Sequence, residues 1–152
     1  IVEFSNAIYE KYLLEIRKKG LDFFLVLTKE VMDKKPMIRI DKARMNQVFA
    51  NLLANALKFT DEGYIEIDVS IDGKHCLFAI KDTGIGIERE YLPYIFDRFY
   101  SKGKNGHGLG LTICKEIVGF HDGDIRAESK KGNGTTIYIS LPLFAEKELS
   151  EK

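Results

Sequence analysis

The sequence has no tryptophan, two cysteines, three prolines and three histidines, and its charges cancel, with 23 Lys+Arg against 23 Asp+Glu. Each scarcity excludes something. A balanced charge gives no signature of a nucleic-acid or polyanion partner. No apolar run approaches the roughly 18 residues of a membrane span, and no signal peptide is visible. Membrane contact by this stretch is therefore not expected. Cys76 and Cys114 lack metal-ligand spacing and sit in apolar surroundings, so both are expected as reduced core thiols, which fits a cytosolic setting. His75, His107 and His121 have no Cys, His or acidic partner at metal-ligand spacing. There is no repeat, low-complexity tract or linker. The chain begins Ile1-Val2-Glu3-Phe4 without a methionine, as expected of a piece cut from a longer protein.

What is present is enough for one globular domain. The 152 residues are 45% hydrophobic and 30% charged, which suits a chain with its own core. The domain is expected over 1–152, with the core at about 4–142 and a frayed tail over 143–152. Apolar spacing predicts a helix over 3–19, using Phe4, Ala7, Ile8, Tyr12, Leu14 and Ile16, with Gly20 as its stop. Strands are predicted over 21–27 and 37–40. Asp41 is a plausible N-cap for a helix over 42–59, whose Met45, Val48, Phe49, Leu52, Leu53, Ala56 and Leu57 form one apolar face. Residues 64–71 and 75–81 alternate as strands around an Asp72-Gly73 hairpin turn. Two helical turns are expected over 88–92 and 93–99, a helix over 109–120, and strands over 123–129 and 135–141, with Pro142 ending the sheet. Helices and hairpins mixed in this way predict an α+β fold, a two-layer α/β sandwich with helices on one face of a mostly antiparallel sheet.

Two glycine clusters carry the chemistry. Asp82-Thr83-Gly84-Ile85-Gly86 follows a strand-like run. Gly106-His107-Gly108-Leu109-Gly110-Leu111 opens a helix. An acidic residue at a strand end followed by glycines makes a buried acceptor beside bare backbone. A glycine-rich loop at a helix N-terminus offers free N–H groups to phosphate. Together they describe a pocket with an amine-reading end and an anion-reading end, the chemistry of a purine nucleotide. Each cluster alone also reads as an ordinary turn. Asn51, Asn55 and Lys58 lie at i, i+4 and i+7 beside the apolar helix face. Asn is costly within a helix, so two of them four residues apart call for a reason. Asn55 has an amide oxygen to offer Mg²⁺, and Lys58 a point charge for phosphate; a capping Asn and a solvated Lys are the ordinary alternatives. Phe96 and Phe99 share a face if their segment is helical, as core residues also would. Lys102 and Lys104 lie in a polar stretch suited to a lid.

These motifs, in this order, resemble the catalytic ATP-binding domain of bacterial sensor histidine kinases, within the wider superfamily of type II topoisomerase, Hsp90 and MutL ATPases. Residues 51–59 resemble its N box, Asp82 to Gly86 its G1 box, Phe96-Asp97-Arg98-Phe99 its F box, Gly106 to Leu111 its G2 box, and Gly132-Asn133-Gly134-Thr135 its last glycine box. The resemblance spans about 4–142. It implies the Bergerat fold, with ATP and Mg²⁺ as ligands. Asp82 would take the adenine amine. Asn55 would hold Mg²⁺ with support from Asn51, and Lys58 would contact phosphate. Gly84, Gly86, Phe59, Gly106, His107, Gly108, Leu109, Gly110 and Thr135 would complete the nucleotide site. Phe96 and Phe99 would anchor the lid or meet the phosphoacceptor domain. The hydrolysing members carry a Glu four residues before the metal-binding Asn; here that position is Asn51, and an amide is no general base near neutral pH. The resemblance therefore implies a histidine kinase that transfers to a histidine on a separate helical dimerisation domain, upstream of a response regulator. The domain would be cytoplasmic, whether or not its parent is membrane-anchored, and this chain monomeric. None of the three histidines matches the acceptor motif. His107 replaces the usual small or hydroxyl residue of G2, and the 99–106 segment is short for the lid. A nucleotide-binding module without transfer, or an ATPase, are the alternatives.

Overall fold

The computed structural model describes residues 1–98 and 109–145. Helix α1 (Val2–Lys18) leads to strand β1 (Asp22–Leu27), a short helix α2 (Lys29–Lys34) and strand β2 (Met37–Ile38). Helix α3 (Lys42–Phe59) is followed by β3 (Tyr64–Asp72) and β4 (His75–Asp82). A 3-10 turn at Leu92–Tyr94, α4 (Leu109–Phe120), β5 (Asp124–Ser129) and β6 (Thr135–Phe144) complete the order. The main sheet runs β1-β3-β4-β6-β2, with β5 also paired to β6. Only β1 with β3 is parallel; the other pairings are antiparallel.

Local chemistry explains the boundaries. The Asp41 side chain caps α3 by accepting from Arg44 N at 3.1 Å. Asp41 N in turn donates to His121 Nε2 at 2.9 Å, so the imidazole presents Nδ1–H to Ile117 O at 2.7 Å. One histidine thus ties the start of α3 to the end of α4. Gly20 ends α1 from a left-handed φ of 88°, which glycine adopts without a Cβ penalty.

The sheet register sorts the side chains. Because strand residues alternate faces, cross-strand partners form rows. The inner face carries the row Ile67, Ile80, Ile137, Ala127, and beyond it the row Val69, Phe78, Ile139, Ile125. Helices α1, α3 and α4 cover this face with Phe4, Ile8, Val48, Phe49, Leu53 and Val118, among others, in one continuous core. Phe49 of α3 stands edge-on to Phe4 of α1 and to Phe78 of β4, with ring centroids 5.4 Å apart in both pairs. This trio locks two helices to the sheet. Cys76 and Cys114 are free and buried, as expected. Burial pushes their thiols up to about 12 and about 11, which keeps them protonated and inert at neutral pH.

The observed architecture is the expected two-layer sandwich, with five local differences. Helix α2 was not anticipated; it is capped by Thr28 Oγ1 and ended by Lys35 in the left-handed region. The strand expected over 37–40 stops at Ile38. The two expected turns appear as hydrogen-bonded turns around a single 3-10 segment at Leu92–Tyr94. Pro142 does not end the sheet, nor does fraying begin at 143. Strand β6 runs to Phe144, pairing Leu143 and Phe144 with β2. Strand β5 reaches only to the register of Ser140, so Pro142 faces the gap between β5 and β2 and its missing N–H is not needed there. Leu14, read as part of the apolar stripe of α1, is 67% exposed.

Truncating the central ring should be costly. Phe49→Ala should lose about 3–5 kcal/mol in urea denaturation, whereas Leu14→Ala should stay within about 0.5 kcal/mol of wild type. Similar losses at both positions would contradict this description of the core.

Candidate functional site

The inner face ends in a polar row. Beyond the apolar row Ile67, Ile80, Ile137 and Ala127, the next register places Ile65, Asp82, Thr135 and Ser129 side by side across β3, β4, β6 and β5. Cross-strand neighbours on one face lie within roughly 5 Å at Cβ, so three hydrogen-bonding side chains are grouped at one end of an otherwise dry face.

Asp82 is the centre of this group. Its Oδ1 accepts from Gly84 N at 2.9 Å and from Thr135 N at 3.2 Å. Burial pushes its carboxyl above the usual range, while those two amides and the Thr60 hydroxyl pull it back. Thr60 is wholly buried at the C-terminal end of α3, and its hydroxyl faces the carboxylate without a partner at full hydrogen-bond geometry. This is a cradle holding a carboxylate with acceptor capacity left over. It fits a ligand that brings donors.

Two glycines permit the close packing. A Cβ on Gly84 would overlap the Phe59 carbonyl oxygen, so β4 could not pass the end of α3 with any larger residue. Ile85 N then donates to that same carbonyl at 3.1 Å. Gly134, at a φ of 79°, lies with its Cα against the Asp82 carbonyl oxygen. Together they draw the end of α3 and the turn before β6 onto Asp82.

Helix α3 supplies the polar stripe. Asn55 is half-buried and Lys58 exposed, with Lys58 Nζ 5.3 Å from the centre of the Phe59 ring. The side chain of Asn55 has no hydrogen-bond partner among the described residues. Asn51 is different: its side chain reaches the buried thiol of Cys114 on α4. The donor set for a divalent ion is thus a free amide oxygen on Asn55, which suits Mg²⁺ held mainly by phosphate and water. No cluster of three His, Cys, Asp or Glu able to hold a metal occurs among the described residues.

Phe96 packs on the core, and its carbonyl accepts from Thr112 Oγ1 at 2.9 Å. Arg98 pairs with Glu116 at 3.0 Å. Both contacts fasten the segment before residue 99 to α4. Leu109 and Gly110 open α4, where the first-turn N–H groups have no intrahelical acceptor. Phe99, Lys102, Lys104, Gly106, His107 and Gly108 lie outside the described residues.

Nothing local in the sequence singles out Thr60 or Ser129: Thr60 only follows the helix predicted over 42–59, and Ser129 only ends the strand predicted over 123–129. Only the register of four strands shows that Ser129 lines up with Asp82.

Comparisons with known proteins identify the family and the fold. The profile of the histidine kinase-, DNA gyrase B-, and HSP90-like ATPases matches residues 40–145. The chain belongs to this family. It is 34% identical over 148 residues to the sensor histidine kinase RcsC of Escherichia coli strain K12, covering 93% of this chain and 15% of RcsC. It is 40% identical over 144 residues to the sensor protein SrrB of Staphylococcus aureus strain NCTC 8325, covering 90% of this chain and 24% of SrrB. The chain thus spans a quarter or less of these relatives. Among solved structures, the nucleotide-free catalytic domain of the histidine kinase ThkA superposes with a TM-score of 0.80 at 28% identity, over 93% of this chain and 91% of that one. Full-length ShkA in complex with AMPPNP superposes with a TM-score of 0.81 at 26% identity, over 93% of this chain and 29% of that one. The Bergerat fold expected from the motifs is therefore the fold of this family member.

A carboxyl whose folded pKa lies above its unfolded value costs stability once ionised, and that cost vanishes below the unfolded pKa. Asp82→Asn removes the cost while keeping both backbone hydrogen bonds, and its amide can donate to Thr60 Oγ1. The variant should melt at or above the wild-type temperature at pH 7, with any gain disappearing as the pH falls through the carboxylate range. A drop of several degrees at pH 7 would show that the charge itself holds the fold.

Proposed function

We propose that the chain binds Mg-ATP and donates its γ-phosphoryl group to a histidine on a separate helical dimerisation domain, as the catalytic part of a sensor histidine kinase. The observation that carries this reading is the polar row at the end of the sheet, with the Asp82 carboxylate fixed by two backbone amides inside a family of nucleotide-using domains. Asp82 accepts the exocyclic amine of adenine, beside Thr135. Gly84 and Gly86 let the base approach the backbone, and Phe59 flanks it. Lys58 and the N–H groups at the start of α4, at Leu109 and Gly110, meet the phosphates; Gly106, His107 and Gly108 lie outside the described residues and are assigned to the same end by the motif resemblance alone. Asn55 is the Mg²⁺ ligand. When bound, Mg²⁺ neutralises charge on the transferring phosphates.

Transfer is favoured over hydrolysis by Asn51. Its amide stands where the hydrolysing members of the resembled superfamily carry a Glu, and it cannot take a proton from water near neutral pH. The contribution of the chain is positioning and charge stabilisation, not acid–base chemistry. The partners are then the dimerisation domain of the same parent and a downstream response regulator. Among the described residues no helix is long and apolar enough to cross a membrane, and the domain is proposed to act in the cytoplasm as a monomer, whether or not its parent is anchored.

The test is transfer of radiolabelled phosphate from ATP to a supplied histidine-bearing acceptor domain. Wild type should label the acceptor in the presence of Mg²⁺, and Asn55→Ala should lower the rate at least about 100-fold. Unchanged transfer by Asn55→Ala would remove that residue from the metal site. Tight ATP binding without any transfer would favour a regulatory nucleotide module, and rapid phosphate release by the chain alone would favour an ATPase.

A further inference from the structure

The polar row contains one residue with no role in the account above, Ser129. Its hydroxyl makes three hydrogen bonds: with Ile87 N at 2.8 Å, with Gly134 O at 2.9 Å and with Thr135 Oγ1 at 2.8 Å. The first two fix the direction of the third. An amide N–H can only donate and a carbonyl can only accept. Ser129 Oγ therefore accepts from Ile87 and spends its single proton on Gly134. Thr135 must then donate to Ser129.

The consequence falls on Thr135. With its proton committed, Thr135 Oγ1 keeps only lone pairs to offer, and no described residue donates to it. It stands beside Asp82 in the same cross-strand row. The Asp82 carboxylate is itself a pure acceptor, with Oδ1 already taken by Gly84 N and Thr135 N. Two adjacent acceptors match a group carrying two hydrogens, such as an exocyclic amine. A carbonyl in the same place would face two oxygens with no proton between them, and an unpaired buried polar group of this kind is costly.

We propose that Ser129 is a positioning residue for base selection: by taking the Thr135 hydroxyl proton it leaves an acceptor-only pair, Thr135 and Asp82, that admits a purine with an exocyclic amine and rejects one with a carbonyl there. The same hydroxyl pins Ile87, just after the G1 glycines, to the turn before β6, so the two walls of the base site are set by one side chain. This inference rests on the proposed nucleotide site and assigns its selectivity to a residue outside the motifs.

Calorimetric titration with ATP and with inosine triphosphate, which carries a carbonyl where ATP carries the amine, tests it. Wild type should prefer ATP. In Ser129→Ala the freed Thr135 hydroxyl can turn its proton toward the ligand, so ATP should bind more weakly while inosine triphosphate holds or gains, and the preference should fall at least about tenfold. Ser129→Thr should restore it. Equal weakening of both nucleotides in Ser129→Ala would mean a purely structural serine and would overturn the proposal. If Ser129→Ala does not fold, Thr135→Val decides: it removes the acceptor while Ser129 keeps its bonds to Ile87 N and Gly134 O, and an undiminished preference for ATP would equally overturn the proposal. Absence of ATP binding by wild type would instead fail the proposed function, and this inference with it.

Discussion

The end of this sandwich depends on a carboxylate held out of water by backbone amides. Asp82 sits where β4 leaves the sheet, and it receives N–H groups from Gly84 behind it and from Thr135 on the neighbouring strand. Both donors must come close. Gly84 passes the last carbonyl of α3 with no room for a Cβ, and Gly134 lies against the Asp82 carbonyl itself. Any larger residue at either place would push apart the elements that hold the charge. Local geometry and ligand chemistry are therefore one constraint, because the backbone that satisfies half of the carboxylate also aims the other half.

The rest of the chain keeps that end rigid. Rows of Ile, Val and Phe fill the inner face up to the register next to Asp82, and the Phe4–Phe49–Phe78 contacts fix α1 and α3 over them. The polarity of the inner face thus changes within two residues along β4, β6 and β5, from an apolar row to one of Asp, Thr and Ser, while β3 keeps Ile65. Helix α3 crosses this boundary. Its apolar face is core, Asn55 and Lys58 lie towards its C-terminal end, and Phe59 O and the buried Thr60 meet Gly84 just after Asp82. A binding site built on strand ends and a helix end, rather than on loops alone, is preorganised by the fold.

Much of this was legible in the sequence because the strong signals are local. The apolar stripe of α3, the Asp41 cap, the Asp72-Gly73 hairpin and the glycine punctuation around Asp82 each act within a few residues. Order along the chain then carried the family. What was not legible depends on register between distant strands. Ser129 and Asp82 are aligned only because β6 lies between them, and nothing in either neighbourhood announces it. Thr60 did not stand out because its surroundings include Gly84, 24 positions later. Helix α2 is six residues long, too short to show a period. Pro142 misled because its penalty depends on a hydrogen-bond partner that the gap between β5 and β2 does not supply.

The most direct measurement is calorimetric titration of ATP, with Mg²⁺, into wild type and Asp82→Asn. The substitution keeps the shape and the two backbone hydrogen bonds but turns an acceptor facing the base into a donor. Hydrogen bonds to charged groups are worth about 1.5–3 kcal/mol, and the repulsion between two donors adds to the loss, so affinity should fall at least about 100-fold in a protein that remains folded. Binding within about threefold of wild type, where roughly 1.4 kcal/mol corresponds to tenfold, would show that the nucleotide is not read at Asp82 and would contradict the account.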